Sequence, residues 1–119
     1  MESSGRFEAL FDQLKIQARA GLYPFVTAGD PDLAFTRRLL PALAEAGADG
    51  FEIGVPFSDP LADGPTIQRS SMRSLQGGTT LKSVIKLVAD VRAEVPNAPM
   101  VLMTYYNPII AFGLKEFCS

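Results

Sequence analysis

The chain has 119 residues, which is enough for one domain and too few for two of ordinary size. Apolar residues make up 47% of the sequence, and no apolar run approaches the roughly 18 residues that cross a bilayer, so membrane insertion is not expected. Eleven lysines and arginines against thirteen acidic residues give a net charge of −2 without long blocks of one sign, so nothing indicates a nucleic-acid partner.

Cysteine usage and the first residues bear on the cellular compartment. Cys118 is the only cysteine, so no internal disulfide can form. The opening MESSGRFEAL lacks the basic segment and continuous apolar core of a secretory signal. We therefore expect a cytoplasmic protein.

The first half of the chain is predicted to alternate helix, strand and helix. An amphipathic helix should end before Gly21, a strand should cover residues 23–27, and Asp30 or Asp32 should cap a second helix that stops at Gly47. Pro41 lies inside that second helix, and because an interior proline costs about 3 kcal/mol, we expect one bent helix. The apolar positions of the two helices are Phe7, Leu10, Phe11 and Leu14, and then Phe35, Leu39, Leu43 and Ala46.

The second half repeats the alternation. A second strand is predicted over residues 50–55, a short helix over 66–75, and a third strand over 100–105, which is apolar enough to be buried on both faces. Asn107-Pro108 should turn the chain out of that strand. Before the third strand, Thr79 or Thr80 should cap a longer helix. Its apolar face is formed by Leu81, Val84, Ile85, Val88, Val91 and Val95.

Strands that alternate with helices are typical of parallel sheets joined by right-handed crossovers. Three parallel strands leave two open edges, and a complete (β/α)₈ barrel needs about 250 residues. We therefore expect an α/β fold in which residues 1–119 form a single domain, the N-terminal part of a TIM barrel with about three strands. A small flavodoxin-like sheet is the alternative.

The segment FEIGVPFSDPLADGPTIQ, residues 51–68, carries the candidate chemistry. In parallel sheets, functional groups gather at the carboxyl ends of the strands. The stretch 54–65 is much longer than the roughly 2 to 6 residues of an ordinary loop between strand and helix, and three prolines constrain it. These features favour a binding loop. The loop contains the carboxylates of Asp59 and Asp63, and the strand before it contains that of Glu52.

Two of these carboxylates are predicted to have different surroundings. Glu52 lies between Phe51 and Ile53, so its side chain should point to the opposite face of the sheet, where partial desolvation favours the protonated form of a proton donor. Asp63 lies in a polar turn and should remain an acceptor. The alternatives are an ion-paired or solvated edge residue for Glu52, and Asx turns for Asp59 and Asp63.

Several other chemistries lack the residues they require. Without histidine, and with one cysteine at the end of the sequence, nucleophilic triads and most transition-metal sites are excluded. Neither a GxGxxG motif nor a Walker A loop is present, so nucleotide-dependent reactions have no support. Among the chemistries considered, acid–base catalysis by carboxylates is the one for which the sequence has the required residues.

FEIGVPFSDPLADGPTIQ, with YPFVTAGDP and GADG before it and TYYNPI after it, resembles the tryptophan synthase alpha chain family over nearly the whole sequence. The resemblance implies a (β/α)₈-barrel lyase that cleaves indole-3-glycerol phosphate to indole and glyceraldehyde 3-phosphate in tryptophan biosynthesis. It implies no cofactor in this chain. The implied partner is a pyridoxal-phosphate beta subunit, in an alpha2beta2 tetramer.

The resemblance also implies roles for single residues. Glu52 would be the proton donor and shuttle at the indole C3, and Asp63 would accept a hydrogen bond from the indole N–H. The substrate pocket would include Phe25, Met103 and Tyr105. The residues expected to face the beta subunit are Pro56, Asp59, Pro60 and Asn107.

Barrels of this kind hold the substrate phosphate with loops after strands seven and eight, so we expect these 119 residues alone to be inactive. The alternative is a non-catalytic interaction module that binds a beta subunit or self-associates through open strand edges.

Overall fold

The structure, a computed structural model, describes residues 2–119, with side chains from residue 5 onward. Its helices and strands alternate as the sequence pattern predicts, with two further short helices at the end of the range. In chain order the elements are α1 (Glu2–Gln17), β1 (Phe25–Thr27), α2 (Leu33–Glu45), β2 (Phe51–Gly54), α3 (Pro65–Gln76), α4 (Leu81–Glu94), β3 (Met100–Met103), α5 (Tyr106–Phe112) and α6 (Leu114–Cys118).

The three strands form one parallel sheet in the order β1-β2-β3, which confirms the predicted α/β topology. The register places Glu52 of β2 between Phe25 of β1 and Val101 of β3. Gly54, two residues further along, lies between Thr27 and Met103. All three strands therefore end at the same edge of the sheet, and the loops that follow them meet there.

One face of the sheet is covered by α2 and α4. The hydrophobic core lies between that face and the two helices. Phe51 and Ile53 of β2 are fully buried on this face, as are Leu40 of α2 and Val84 and Val91 of α4. Each such side chain contributes about 1.5 to 3 kcal/mol when it leaves water. This face supplies most of the apolar burial.

The opposite face of the sheet is open among the described residues. Phe25, Val101 and Met103 are 38%, 42% and 54% exposed on it. The prediction that the third strand is buried on both faces was therefore wrong. An apolar run of this kind is typical of a strand that packs against helices on one face and against other strands of a barrel on the opposite face. The described helices cover only the first of these faces.

The helix α2 begins at the predicted cap and runs through Pro41 as one helix. The Asp32 carboxylate accepts a hydrogen bond of 2.7 Å from the Phe35 N–H. The predicted apolar face was confirmed only in part: Leu43 packs against the core, but Phe35 is 40% exposed, and the buried residues are Thr36 and Leu40. Burial of Thr36 is possible because its hydroxyl accepts from the Gly29 N–H at 3.1 Å.

The later helices confirm one cap and correct one turn. Thr80 and Ser83 form a reciprocal capping box at the start of α4, and that helix buries Val84 and Val91 as predicted. Asn107-Pro108 was expected to turn the chain out of β3, but it lies in the first turn of α5. Proline is tolerated in a first turn because its missing N–H would have no helical partner there.

The helix α1 lies beside the residues that precede β2 and β3, at the amino-terminal ends of the strands. Leu14 is buried, whereas Phe11, from the predicted apolar stripe, is 49% exposed. The segment after α1 is fixed by Arg19, whose guanidinium donates two hydrogen bonds to the Asp49 carboxylate at 2.7 and 3.0 Å. None of the helices in the described range is long and apolar enough to cross a bilayer.

Candidate functional site

A cavity of about 240 Å³ opens at the edge where the three strands end. It lies between the strand ends, the loop at residues 55–64 and the start of α3. It combines apolar walls with a carboxylate and hydroxyl groups. The lining residues are Phe25, Thr27, Gly54, Val55, Ala62, Asp63, Ile67, Ser71, Met103, Thr104 and Tyr105.

The loop at residues 55–64 is held by its own backbone and by the helix that follows it. The Leu61 N–H donates to the Asp59 carbonyl at 2.8 Å, and the Asp63 N–H donates to the Pro60 carbonyl at 3.1 Å. The side chain of Gln68 in α3 donates to the Asp63 carbonyl at 2.7 Å. These bonds fix the backbone that presents the Asp63 side chain to the cavity.

Asp63 is joined to the end of β3 by Tyr105. The Tyr105 hydroxyl donates to Asp63 Oδ2 at 3.1 Å and accepts from the Ala62 N–H at 2.9 Å. The Tyr105 ring also packs on Phe57, with ring centroids 5.1 Å apart. The Asx-turn interpretation of Asp63 is thus wrong, since its carboxylate hydrogen-bonds a residue 42 positions away.

Glu52 lies on the open face of the sheet, as the alternation along β2 predicts, and its side chain is half-buried. Among residues 5–119, no side chain forms an ion pair or hydrogen bond with its carboxylate, so the ion-pair interpretation lacks support. Glu52 is outside the cavity lining, whereas Gly54, two residues further along, belongs to it. The Phe25 ring reaches over Gly54, where an added Cβ would lie 2.6 Å from Phe25 Cζ.

The predicted pocket residues come together around Asp63. Phe25, Met103 and Tyr105 all line the cavity with it. Sequence reasoning missed Thr27, Ile67 and Ser71, although one signal was available. Ile67 and Ser71 lie four residues apart on a helix that starts directly after the loop, so they share the face that turns toward the strand ends.

The residues expected at a partner interface have unequal exposure. Asp59 and Asn107 are exposed, Pro60 is half-buried, and Pro56 is buried within this chain. Leu61, which sequence reasoning did not single out, is 91% exposed at the outer side of the same loop. The loop thus presents an apolar side chain and a carboxylate to its surroundings.

The helix α3, which forms one wall of the cavity, is held to β1 by polar contacts. The hydroxyl groups of Thr27 and Ser70 lie 2.8 Å apart, and Ser74 donates to the Ala28 carbonyl at 2.6 Å. Arg73 donates two hydrogen bonds to the Asp30 carboxylate, both 2.9 Å, and these lower the pKa of Asp30. No group of three or more potential ligands within the described residues could hold a metal ion.

A cavity with a carboxylate at the carboxyl ends of parallel strands is typical of (β/α)₈ barrels, and this sheet matches the N-terminal part of such a barrel. The family model described as tryptophan synthase alpha chain matches residues 11–119. The chain therefore belongs to the tryptophan synthase alpha chain family.

Individual relatives agree with the family assignment. The tryptophan synthase alpha chain of Geobacter sulfurreducens is 54% identical over 114 residues, which cover 96% of this chain and 43% of that protein. Among solved structures, the tryptophan synthase alpha subunit of Legionella pneumophila is similar with a TM-score of 0.91 at 38% identity, covering 94% of this chain and 43% of that one. A tryptophan synthase from M. tuberculosis in an aminoacrylate-bound form has a TM-score of 0.87 at 35% identity, covering 94% and 45%. The chain thus spans less than half the length of these relatives.

Proposed function

We propose that this chain supplies the reacting end of a lyase site that cleaves indole-3-glycerol phosphate to indole and glyceraldehyde 3-phosphate in tryptophan biosynthesis. The observation that carries the proposal is the position of Asp63, which lines a largely apolar cavity and is held there by Tyr105. An indole ring suits apolar walls such as Phe25 and Met103, and its N–H needs one acceptor.

The two carboxylates have separate roles in this proposal. Glu52 gives a proton to the indole C3 and takes the hydroxyl proton from the neighbouring carbon of the glycerol chain, while the bond between the two carbons breaks. Asp63 accepts a hydrogen bond from the indole N–H and stabilises the positive charge that develops on that ring. The free Glu52 carboxylate supports this division, because no described side chain competes for it.

We further propose a beta subunit as partner, in an alpha2beta2 assembly, with pyridoxal phosphate bound by that partner and no cofactor in this chain. The exposed Asp59, Leu61 and Asn107 support a partner-facing surface beside the cavity. A cytoplasmic location is consistent with Cys118, a free and exposed thiol.

A second candidate function is a non-catalytic module that associates through the sheet. The observation that favours it is the open face, where Val101 and Met103 are about half exposed. Apolar side chains exposed on a strand face are one feature of interaction surfaces. The two candidate functions are separated by measuring whether this chain supports indole release when it forms part of a complete barrel.

The proposed function is tested in a chimera in which the 114 matched residues of this chain replace the corresponding segment of the Geobacter sulfurreducens relative. We expect the chimera to release indole from indole-3-glycerol phosphate. Glu52→Gln should lower the rate by about 10² to 10⁴, because the proton donor is lost, and should leave indole binding intact.

The matched control is Glu45→Gln, at the exposed end of α2, which should change neither rate nor binding. Full activity of the Glu52→Gln chimera would contradict the role assigned to Glu52. A folded chimera without any activity would favour the interaction module.

A further inference from the structure

We propose that Tyr105 is a positioning residue that acts through Asp63, and not simply a wall of the pocket. The inference deepens the proposed function and rests on its assignment of Asp63 as the acceptor for the indole N–H. It concerns how the chain holds that carboxylate before a ligand arrives.

The hydrogen bonds around Asp63 leave one of its oxygens available. Tyr105 donates to Oδ2 at 3.1 Å, and among residues 5–119 no side chain or backbone N–H donates to Oδ1. A carboxylate that is held through one oxygen keeps a fixed orientation for the other. Oδ1 can then accept from a ligand that enters the cavity, which both Asp63 and Tyr105 line.

The hydroxyl of Tyr105 is already committed in both directions. Its proton goes to Asp63, and its oxygen receives the Ala62 N–H at 2.9 Å. A phenol with these two partners has no proton left to give to a substrate. The geometry therefore suits a fixed link between strand and loop better than an acid or a direct ligand contact.

Both ends of the long loop are attached to β3. At its start, the Val55 N–H donates to the Met103 carbonyl at 2.9 Å. At its end, Tyr105 holds Ala62 and Asp63. The tilted packing of Phe57 on the Tyr105 ring adds a third contact from within the loop. Tyr105 lies two residues beyond Met103, so it transfers the rigidity of the sheet to Asp63.

The test compares the affinities of this chain for indole and for 1-methylindole, which lacks the N–H, by NMR titration. The unchanged chain should prefer indole by about ten-fold, as expected for a hydrogen bond to a charged acceptor. In Tyr105→Phe the preference should fall to about two-fold, because the ring and its packing remain while Asp63 loses its fixed orientation. A residue that only lines the pocket would change both affinities together and leave their ratio unaltered.

Two further variants separate the possible results. Tyr106→Phe removes a hydroxyl from the neighbouring tyrosine, which is 64% exposed, and should keep the full preference for indole. Asp63→Asn should lose the preference. If Asp63→Asn loses it and Tyr105→Phe keeps it, the positioning role is overturned and the proposed function stands. If Asp63→Asn keeps it, the assignment of Asp63 fails, and the inference fails with it.

Discussion

Single residues along β2 divide the core from the site. Phe51 and Ile53 are fully buried against α2 and α4, and Glu52 between them points to the other face. The two-residue period of a strand predicts this division from sequence alone. The link between Tyr105 and Asp63 was beyond such reasoning, because it depends on where a long loop folds back.

Gly29 is a residue at which a single methyl group should matter. Its φ is +83°, and an added Cβ would lie 2.1 Å from Thr79 Oγ1 and 2.5 Å from Ser74 Oγ, both in buried residues. Backbone strain and the clash combine, so Gly29→Ala should lower the free energy of unfolding by more than about 3 kcal/mol. Chemical denaturation followed by circular dichroism measures this loss.

Gly47 provides the control for the backbone term alone. Its φ is +116°, but an added Cβ would meet nothing within 4 Å. Gly47→Ala should therefore cost only about 1 to 2 kcal/mol. Equal losses for the two variants would show that the contacts with Thr79 and Ser74 do not restrict position 29.

At the scale of elements, α2 shows where a hydropathy pattern misleads. The pattern favours Phe35 because it is apolar, yet Thr36 is the buried residue, since its hydroxyl finds a partner in the Gly29 N–H. The start of the helix at Asp32 was predictable, because capping is local. The face that turns inward was not, because it depends on groups from another element.

The segment that follows α1 should make the stability of the fold depend on pH in the acidic range. Hydrogen bonds from the Arg19 side chain, and then from the Leu22 N–H, lower the pKa of Asp49, whose side chain is only 8% exposed. A carboxyl with a lowered pKa in the folded state stabilises the fold above its unfolded pKa of about 4, and this contribution disappears as the pH falls through the lower folded value. Asp49→Asn should therefore reduce stability at neutral pH and flatten the loss of stability below about pH 4.

Thermal unfolding at a series of pH values measures this effect. Asp90→Asn is the control, since Asp90 forms an exposed surface pair with Lys86 at 3.1 Å and should change little. Some dependence on acid should remain in Asp49→Asn, because the pKa of Asp30 is lowered too. Identical acid profiles for Asp49→Asn and the unchanged chain would contradict the assigned role.

At the scale of the whole molecule, one face of the sheet is covered by helices and the other is open. The covered face carries the core, and the open face carries Phe25, Glu52, Val101 and Met103. In a (β/α)₈ barrel the corresponding face is the packed interior. The open face explains why the apolar sequence of β3 predicted more burial than the described residues provide.

The 119-residue chain by itself should release no detectable indole from indole-3-glycerol phosphate. The described residues contain three strands, whereas barrels of this type hold phosphate groups after strands seven and eight. Without that remote binding energy, the proposed substrate would not be held against the two carboxylates to which we assign catalysis, Glu52 and Asp63. A sensitive indole assay, with the chimera as the positive control, measures this. Indole formation in proportion to the concentration of the isolated chain would refute the expectation.

The sequence by itself determined the order of the elements as far as β3, the parallel sheet, the N-terminal caps of α2 and α4 to within two residues, and the face on which Glu52 lies. These properties follow from local spacing, capping chemistry and the period of a strand. Tertiary structure alone decided that Asp63 is held by Tyr105, that Thr36 is buried while Phe35 is exposed, and that β3 has one open face. Each of these depends on contacts between residues far apart in the chain, and no local pattern encodes which distant partner a side chain meets.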